Sequence, residues 1–187
     1  MWRKDVEAHL RVLEQIKADD GFGALVEEIA SVLCSAVAKG GKIILFGNGG
    51  SAADAQHIAA EFVGRFYFDR AAINAVALTT NPSVVTAIAN DFDFSSVFAR
   101  QVSAIVTDLD VVIGISTSGT SKSVLAGLRE AKAAGACTVL LTGSACKEQA
   151  ADYVVPVPSD DTPRIQEMHI LIGHYWAEYV EKTLYRN

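Results

Sequence analysis

The chain has 187 residues, of which half are hydrophobic, and a formal net charge of −6 at pH 7. This length and composition predict a single domain with a sizeable core. The acidic balance, without any basic block, argues against nucleic acid or an anionic membrane surface as the main partner. Three widely spaced cysteines indicate reduced thiols rather than a disulfide framework or a thiolate metal site, namely Cys34, Cys137 and Cys146.

The N-terminal segment, MWRKDVEAHL, is charged, and no apolar run of signal-peptide or membrane-spanning length follows it. We therefore expect a cytoplasmic protein. Apolar residues at helical spacing predict two amphipathic helices, over 2–17 and about 22–39, which form an antiparallel hairpin. Their apolar faces pack either on the protein's own core or on another subunit. His9, among charged neighbours, is interpreted as an ordinary solvated side chain.

From Lys42 onward, short apolar strands alternate with helices, which predicts an α/β fold with a doubly wound five-stranded parallel sheet. Residues 41–187 form this layered part and residues 1–40 the preceding helices. Ligands bind such sheets at the carboxyl ends of the strands, so the loops after Phe46, Leu78, Ile115 and Thr142 are the candidates. We predict strands near 42–46, 74–79, 110–115, 137–142 and 153–157, and helices near 51–64, 82–90, 94–106, 121–134, 146–151 and 164–184.

The segment FGNGGSAADAQHIAAE, residues 46–61, indicates a strand, a glycine turn and a helix. Its glycines leave backbone amides uncovered at a helix start, which suits an anionic or hydroxyl-rich ligand. Ser51 and Asp54 fit a capping box at that start. His57 and Glu61 are four residues apart, so they project from one face of the helix toward the ligand.

A second loop, STSGTSKS at residues 116–123, runs directly into a predicted helix. Hydroxyl groups and backbone amides at a helix N-terminus favour a phosphate, although an ordinary Ser/Thr-rich turn with an N-cap is the alternative. Neither loop contains GxxxxGK[ST] or GxGxxG, so we expect no nucleotide cofactor.

Two further polar groups are open to two interpretations. Asn90 and Asp91 either end a helix, since asparagine tolerates the left-handed conformation, or face the ligand. In the last helix, His169 and His174 lie among apolar residues, where a histidine is usually part of the core. Gln166 and His174 share roughly one side of that helix and His169 points elsewhere, but the spacing does not settle which histidine matters.

Three basic residues near these motifs are ambiguous in the same way. Arg65 and Arg164 either contact an anionic substrate or form surface or interface salt bridges. Lys122, beside the Ser/Thr loop, has the same two interpretations.

Together, GNGGSAADAQHIAAE, AIANDF, GISTSGTSKS and TPRIQEMHILIGH resemble the sugar isomerase (SIS) fold, which is flavodoxin-like, over nearly the whole chain. Within that fold the combination is similar to the sedoheptulose-7-phosphate isomerases, also called phosphoheptose isomerases. The resemblance implies a single SIS domain over 1–187 and a homotetramer whose active sites are completed by neighbouring subunits. It also implies one Zn²⁺ per subunit, with ligand positions at His57, Glu61, Gln166 and His174.

For the site, the resemblance implies the isomerisation of sedoheptulose 7-phosphate to D-glycero-D-manno-heptose 7-phosphate, the first step of nucleotide-activated heptose biosynthesis. The reaction moves a proton between C1 and C2 through an enediol, and we assign Glu61 as the base and His174 as its acid/base partner. A non-catalytic SIS protein, such as a sugar-phosphate-binding or replication-initiation regulator, is the alternative. The implied substrate contacts are Asn48, Gly49, Gly50, Ser51, Glu61, Asn90, Asp91, Ser116, Thr117, Ser118, Ser121 and Gln166.

Overall fold

A computed structural model describes residues 1–146 and 151–186, in which five parallel strands form one sheet in the order β2-β1-β3-β4-β5. This order confirms the predicted doubly wound, flavodoxin-like fold. The strands are β1 (Ile43–Gly47), β2 (Ala75–Ala77), β3 (Val111–Ile115), β4 (Cys137–Gly143) and β5 (Tyr153–Val157).

Helices cover both faces of the sheet and also precede it. They are α1 (Trp2–Ala18), α2 (Asp20–Ala38), α3 (Gly50–Val63), α4 (Pro82–Asp91), α5 (Val97–Ile105), α6 (Lys122–Ala133) and α7 (Thr162–Tyr185). The helix predicted over 94–106 begins as a short 3₁₀ turn, Phe94–Ser96, before α5. The helix predicted at 146–151 lies mostly outside the described residues.

The central strands are buried on both faces because their continuous apolar runs contribute to two separate cores. Ile43 and Leu45 of β1 belong to a core with α2, α3 and α7, whereas Ile44 and Phe46 belong to a core with α5 and α6. Such uninterrupted apolar strands are typical of parallel sheets covered by helices. The hydrophobic pattern therefore determines both the strand assignment and the layering.

The two N-terminal helices are separated by one residue, Asp19, whose Oδ1 accepts a hydrogen bond from the amide of Phe22 at 3.0 Å. This N-cap ends α1 and starts α2. Helix α2 is long and apolar enough to cross a membrane by composition, but residues such as Ile29 and Leu33 are fully buried in the core. Helix α1 buries only Val12 and leaves other apolar side chains exposed.

His9 is not simply solvated, so that interpretation was wrong. Its Nδ1 lies 2.7 Å from Oε2 of Glu167, on α7. Arg164 donates to the other oxygen of Glu167 at 2.6 Å and to the carbonyl of Asp5 at 2.8 Å. The contact joins residues far apart in sequence, which explains why the charged neighbours of His9 gave no sign of it.

His169, in contrast, is the core histidine of α7. Its side chain is fully buried, and Nε2 lies 3.3 Å from the carbonyl oxygen of Thr142 at the end of β4. Nδ1 is buried without a hydrogen-bond partner. Donation from Nε2–H to the carbonyl leaves Nδ1 unprotonated, and burial lowers the pKa of His169 to about 4 despite this hydrogen bond, which raises it.

This depressed pKa predicts a loss of stability in mild acid. The unfolded chain takes up a proton near the ordinary histidine pKa of about 6.5, whereas folded His169 does not until about pH 4. The free energy of unfolding therefore falls as the pH drops from about 6.5 to about 4, by at most roughly 3 kcal/mol from this group. We expect His169→Met to flatten that part of the profile in urea titrations, and an unchanged slope would contradict the assignment.

Candidate active site

The glycine turn after β1 positions the first half of the site. Gly49 has a φ of +59°, a left-handed conformation that favours glycine, and α3 begins at the next residue. The predicted capping box is wrong: Gly49 is the N-cap, no side chain caps the helix, and Ser51 already lies within its first turn. Instead, the Oδ2 atom of Asp54 is buried without a hydrogen-bond partner. Desolvation raises the pKa of Asp54 to about 6, although the Coulombic interaction with His57 lowers it.

The Ser/Thr loop lies next to this turn because β1 and β3 are neighbours and Gly47 pairs with Ile115. Asn48 joins the two loops by donating hydrogen bonds from Nδ2 to the hydroxyls of Ser121 at 2.9 Å and Ser123 at 3.0 Å. Helix α6 begins at Lys122 with Ser121 as its N-cap. A cavity of about 190 Å³ between the loops is lined by Asn48, Ser51, Ile115, Ser116, Thr117, Ser118 and Ser121.

The cavity brings together hydroxyl donors, the amide side chain of Asn48 and the N-terminus of α6. A helix N-terminus with uncovered amides favours a bound anion. A second cavity on the other side of Asn48 is lined by Gly49, Thr79, Phe94 and Phe98 among others. The first cavity is therefore suited to a phosphate and the second adjoins it with apolar walls.

His57, Glu61 and His174 converge where α3 packs against α7. One potential ligand atom from each residue lies within 4.8 Å of the others. The two Nε2 atoms of the histidines are 2.7 Å apart, and Glu61 Oε1 is 3.6 Å from Nε2 of His57. Of the two histidines in α7, the structure thus places His174 in the site, while about half of the His57 side chain is exposed.

Gln166 lies on the same helix as His174 but two turns earlier. A Cβ added to Gly50 would overlap the Gln166 carboxamide, so that side chain lies against the first residue of α3. Gln166 therefore lies beside the glycine turn. Its position along α7 is between the polar cavity and the histidine–carboxylate cluster. Its role as a fourth metal ligand stays a prediction.

Asn90 and Asp91 are both exposed, and they hydrogen-bond to each other, Nδ2 to Oδ1, at 2.9 Å. Neither residue lines the two cavities beside Asn48. The interpretation that they end a helix is confirmed, because α4 ends at Asp91 and its C-cap is Phe92. Their substrate contacts stay a prediction.

The ambiguous basic residues are now placed. Arg164 forms the contacts with Glu167 and Asp5 described above, as a structural salt bridge does. Arg65 and Lys122 are exposed.

Sequence reasoning missed a buried pair, Arg70 and Glu181, beside the His174 cluster. A charged residue within an apolar helical face, as Glu181 is in α7, was the available signal.

The comparisons with known proteins cover nearly the whole molecule. The SIS domain family model matches residues 5–143. The phosphoheptose isomerase of Burkholderia pseudomallei is 49% identical over 177 residues, covering 94% of this chain and 90% of the relative. That of Aneurinibacillus thermoaerophilus is 46% identical over 187 residues, covering 99% and 94%. The chain belongs to the phosphoheptose isomerases of the SIS-domain family.

Solved structures agree with this assignment. The phosphoheptose isomerase from Neisseria gonorrhoeae matches with a TM-score of 0.86 and 35% identity, covering 97% of this chain and all of the other. The shared length includes the N-terminal helices and α7. Within this family, the histidine–carboxylate cluster and the hydroxyl-lined cavity become the candidate catalytic and phosphate ends of one site.

The donor set of the cluster fits a divalent transition metal. Two imidazoles and a carboxylate are ligand types that zinc accepts. The 2.7 Å between the two Nε2 atoms is a hydrogen-bond distance, so one ring donates and the other accepts. A cation would replace that shared proton, since both nitrogens must then present lone pairs.

Proposed function

We propose that this chain isomerises sedoheptulose 7-phosphate to D-glycero-D-manno-heptose 7-phosphate. The observation that carries the proposal is the convergence of His57, Glu61 and His174 within 4.8 Å, in a chain that also has a hydroxyl-lined cavity at the loops after β1 and β3. A protein that only binds sugar phosphates needs the cavity but not the cluster. The relatives with 46–49% identity carry the name phosphoheptose isomerase, which supports the same reaction.

Binding would begin at the phosphate. The Ser116, Thr117, Ser118 and Ser121 segment and the N-terminus of α6 would hold the phosphate, while the amide of Asn48 keeps the two loops together. The amides of the glycine turn would bind sugar hydroxyls. The other end of the sugar would then be presented to Glu61 and His174.

The chemistry requires two pairs of proton transfers that cancel overall. Glu61 would take a proton from C1, and His174 would give a proton to the C2 oxygen as negative charge develops there, which produces the enediol. His174 would then remove the proton from the C1 oxygen, and Glu61 would return its proton to C2. The C1 aldehyde and the new C2–H bond form in this second half, and both side chains regain their starting states.

We also propose that one Zn²⁺ per subunit is held by His57, Glu61, Gln166 and His174. A bound zinc ion would polarise the oxygens on C1 and C2 and stabilise the enediolate charge. With the cation bound, its charge would make the Glu61 carboxylate a weaker base.

The assembly that we propose is a homotetramer in the cytoplasm, with active sites completed by neighbouring subunits. Trp2, Val6 and Leu10 of α1, spaced four residues apart, are 77%, 38% and 49% exposed, and Leu171 of α7 is also exposed. An apolar helix stripe without cover is typical of a subunit contact. The product would supply heptose for lipopolysaccharide, capsule or another glycoconjugate.

The central prediction concerns turnover. Purified protein should convert sedoheptulose 7-phosphate to the aldose phosphate. Chromatography of the sugar phosphates measures this conversion. Glu61→Gln and His174→Gln should each lower kcat by about 10²- to 10⁴-fold, because each removes a proton-transfer group. Near wild-type turnover in either variant would refute the proton-transfer role of the substituted residue. If the wild-type protein binds the sugar phosphate without turning it over, the protein is a sugar-phosphate binder and not an isomerase.

The metal assignment predicts a change that does not depend on activity. His57→Ala should lower the zinc content measured by elemental analysis after equilibration with limiting zinc, because one imidazole ligand is lost. His9→Ala is the matched control, since His9 binds Glu167 away from the cluster. Equal zinc content in the wild type and His57→Ala would remove His57 from the ligand set.

The oligomer prediction is tested by light scattering. The molar mass measured by light scattering should be about four times the 19.9-kDa chain mass. Leu10→Asp should reduce that mass, because it places a charge in the apolar stripe. A fully active monomer would contradict both the tetramer and the shared active sites.

A further inference from the structure

A buried ion pair lies next to the cluster without contributing a side chain to it. Arg70 Nε is 3.1 Å from Oε1 of Glu181, and both side chains are almost completely buried. Breaking such a pair is costly, yet a pair of well-packed apolar residues would often be as stable. What the pair contacts is therefore more informative than its stability.

The Arg70 guanidinium binds the C-terminal end of α3. Nη2 donates to the carbonyl of Glu61 at 2.9 Å, and Nη1 donates to the carbonyls of Phe62 at 2.8 Å and Gly64 at 3.3 Å. The last carbonyls of a helix have no partners within the helix and carry its negative dipole end. Arg70 therefore fixes the turn of α3 from which the Glu61 side chain projects.

The Glu181 carboxylate holds the segment that follows α3. Its oxygens accept hydrogen bonds from the amides of Phe66 at 2.9 Å and Tyr67 at 2.7 Å. Burial alone would raise the pKa of Glu181, but these amides and Arg70 lower it below its ordinary value, so the pair is ionised at neutral pH.

This held segment reaches His174. The ring of Phe66 lies 5.5 Å from the imidazole of His174, at an angle of 34° between the planes. Glu181 is also seven residues after His174, so both side chains project from roughly the same face of α7. One ion pair thus holds the backbone of Glu61 on one side and the ring that packs on His174 on the other.

We propose that Arg70 and Glu181 are positioning residues, which fix the Glu61 carboxylate relative to the His174 imidazole for proton transfer. The proposal rests on the roles given above to Glu61 and His174. Proton transfer depends steeply on geometry, and a misplacement of about 1 Å can cost about 10²-fold in rate. The hydroxyl-lined cavity has no contact with the pair, so binding of the phosphate should be unaffected.

A purely structural ion pair would give a different result, and the chain contains a matched control. Asp110 is a buried carboxylate that accepts from the amides of Lys42 at 2.9 Å and Thr107 at 2.7 Å and from Lys42 Nζ at 2.6 Å. It lies directly before β3, and its hydrogen-bond partners, Lys42 and Thr107, belong to neither α3 nor α7. Asp110→Asn removes the same kind of interaction without touching α3 or α7.

The experiment compares Arg70→Lys, Glu181→Gln, the double variant Arg70→Met/Glu181→Leu, and Asp110→Asn. Arg70→Lys keeps the charge but loses the fork that reaches several carbonyls. The double variant leaves no unpaired buried charge. Steady-state kinetics with sedoheptulose 7-phosphate give kcat and KM, thermal unfolding gives the folded fraction, and proton NMR follows the imidazole Cε1–H signals of the four histidines.

We expect kcat to fall about 10- to 100-fold in the Arg70 and Glu181 variants, with KM within about threefold of wild type. The His174 signal should shift as the Phe66 ring moves. Asp110→Asn should lose thermal stability but keep both kcat and the His174 signal. Wild-type kcat and an unmoved His174 signal in folded Arg70→Lys would overturn the proposal, as would losses no larger than in Asp110→Asn. If the wild type itself does not isomerise the sugar, the proposed function fails, and the His174 signal still decides the positioning role.

Discussion

The close packing of α3 against α7 is the constraint on which the candidate site depends. A Cβ on Gly173 would lie 2.5 Å from Cδ1 of Ile58, so a larger residue there would separate the helices. The residues next to this contact in sequence, His57 and His174, are the two whose ring nitrogens are 2.7 Å apart. The absence of one side chain in the core thus allows two imidazoles to meet at the surface above it.

The other half of the site depends on the sheet rather than on helix packing. Because β1 and β3 are adjacent and parallel, the loops that follow them emerge side by side, and Asn48 links them through two serine hydroxyls. Helix α3 starts from one of these loops and carries Glu61 three turns later. The hydroxyl-lined cavity and the Glu61 carboxylate of one chain are therefore separated by most of the length of α3, about 16 Å along the helix axis.

Local periodicity was sufficient to predict most of this arrangement. Apolar runs identified the strands, and the four-residue spacing of His57 and Glu61 placed them on one face. The capping box at Ser51 failed because Gly49 adopts a left-handed conformation and starts the helix earlier, which the side-chain pattern does not reveal. Arg70 and Glu181 are 111 residues apart and their partners are mostly backbone atoms, so no spacing rule indicates that they form a pair.

The two histidines of α7 show how one helix separates structural and chemical roles. Five residues on a helix correspond to a rotation of roughly 140°, so His169 and His174 face different neighbours. His169 faces the end of β4, where burial lowers its pKa to about 4 and keeps the ring neutral. The ring is also fully buried, so it does not reach a substrate. His174 faces α3, is only partly buried and lies beside a carboxylate, which is the environment that acid–base chemistry requires. The direction in which the helix presents His174 therefore supports the proton-transfer role proposed for it.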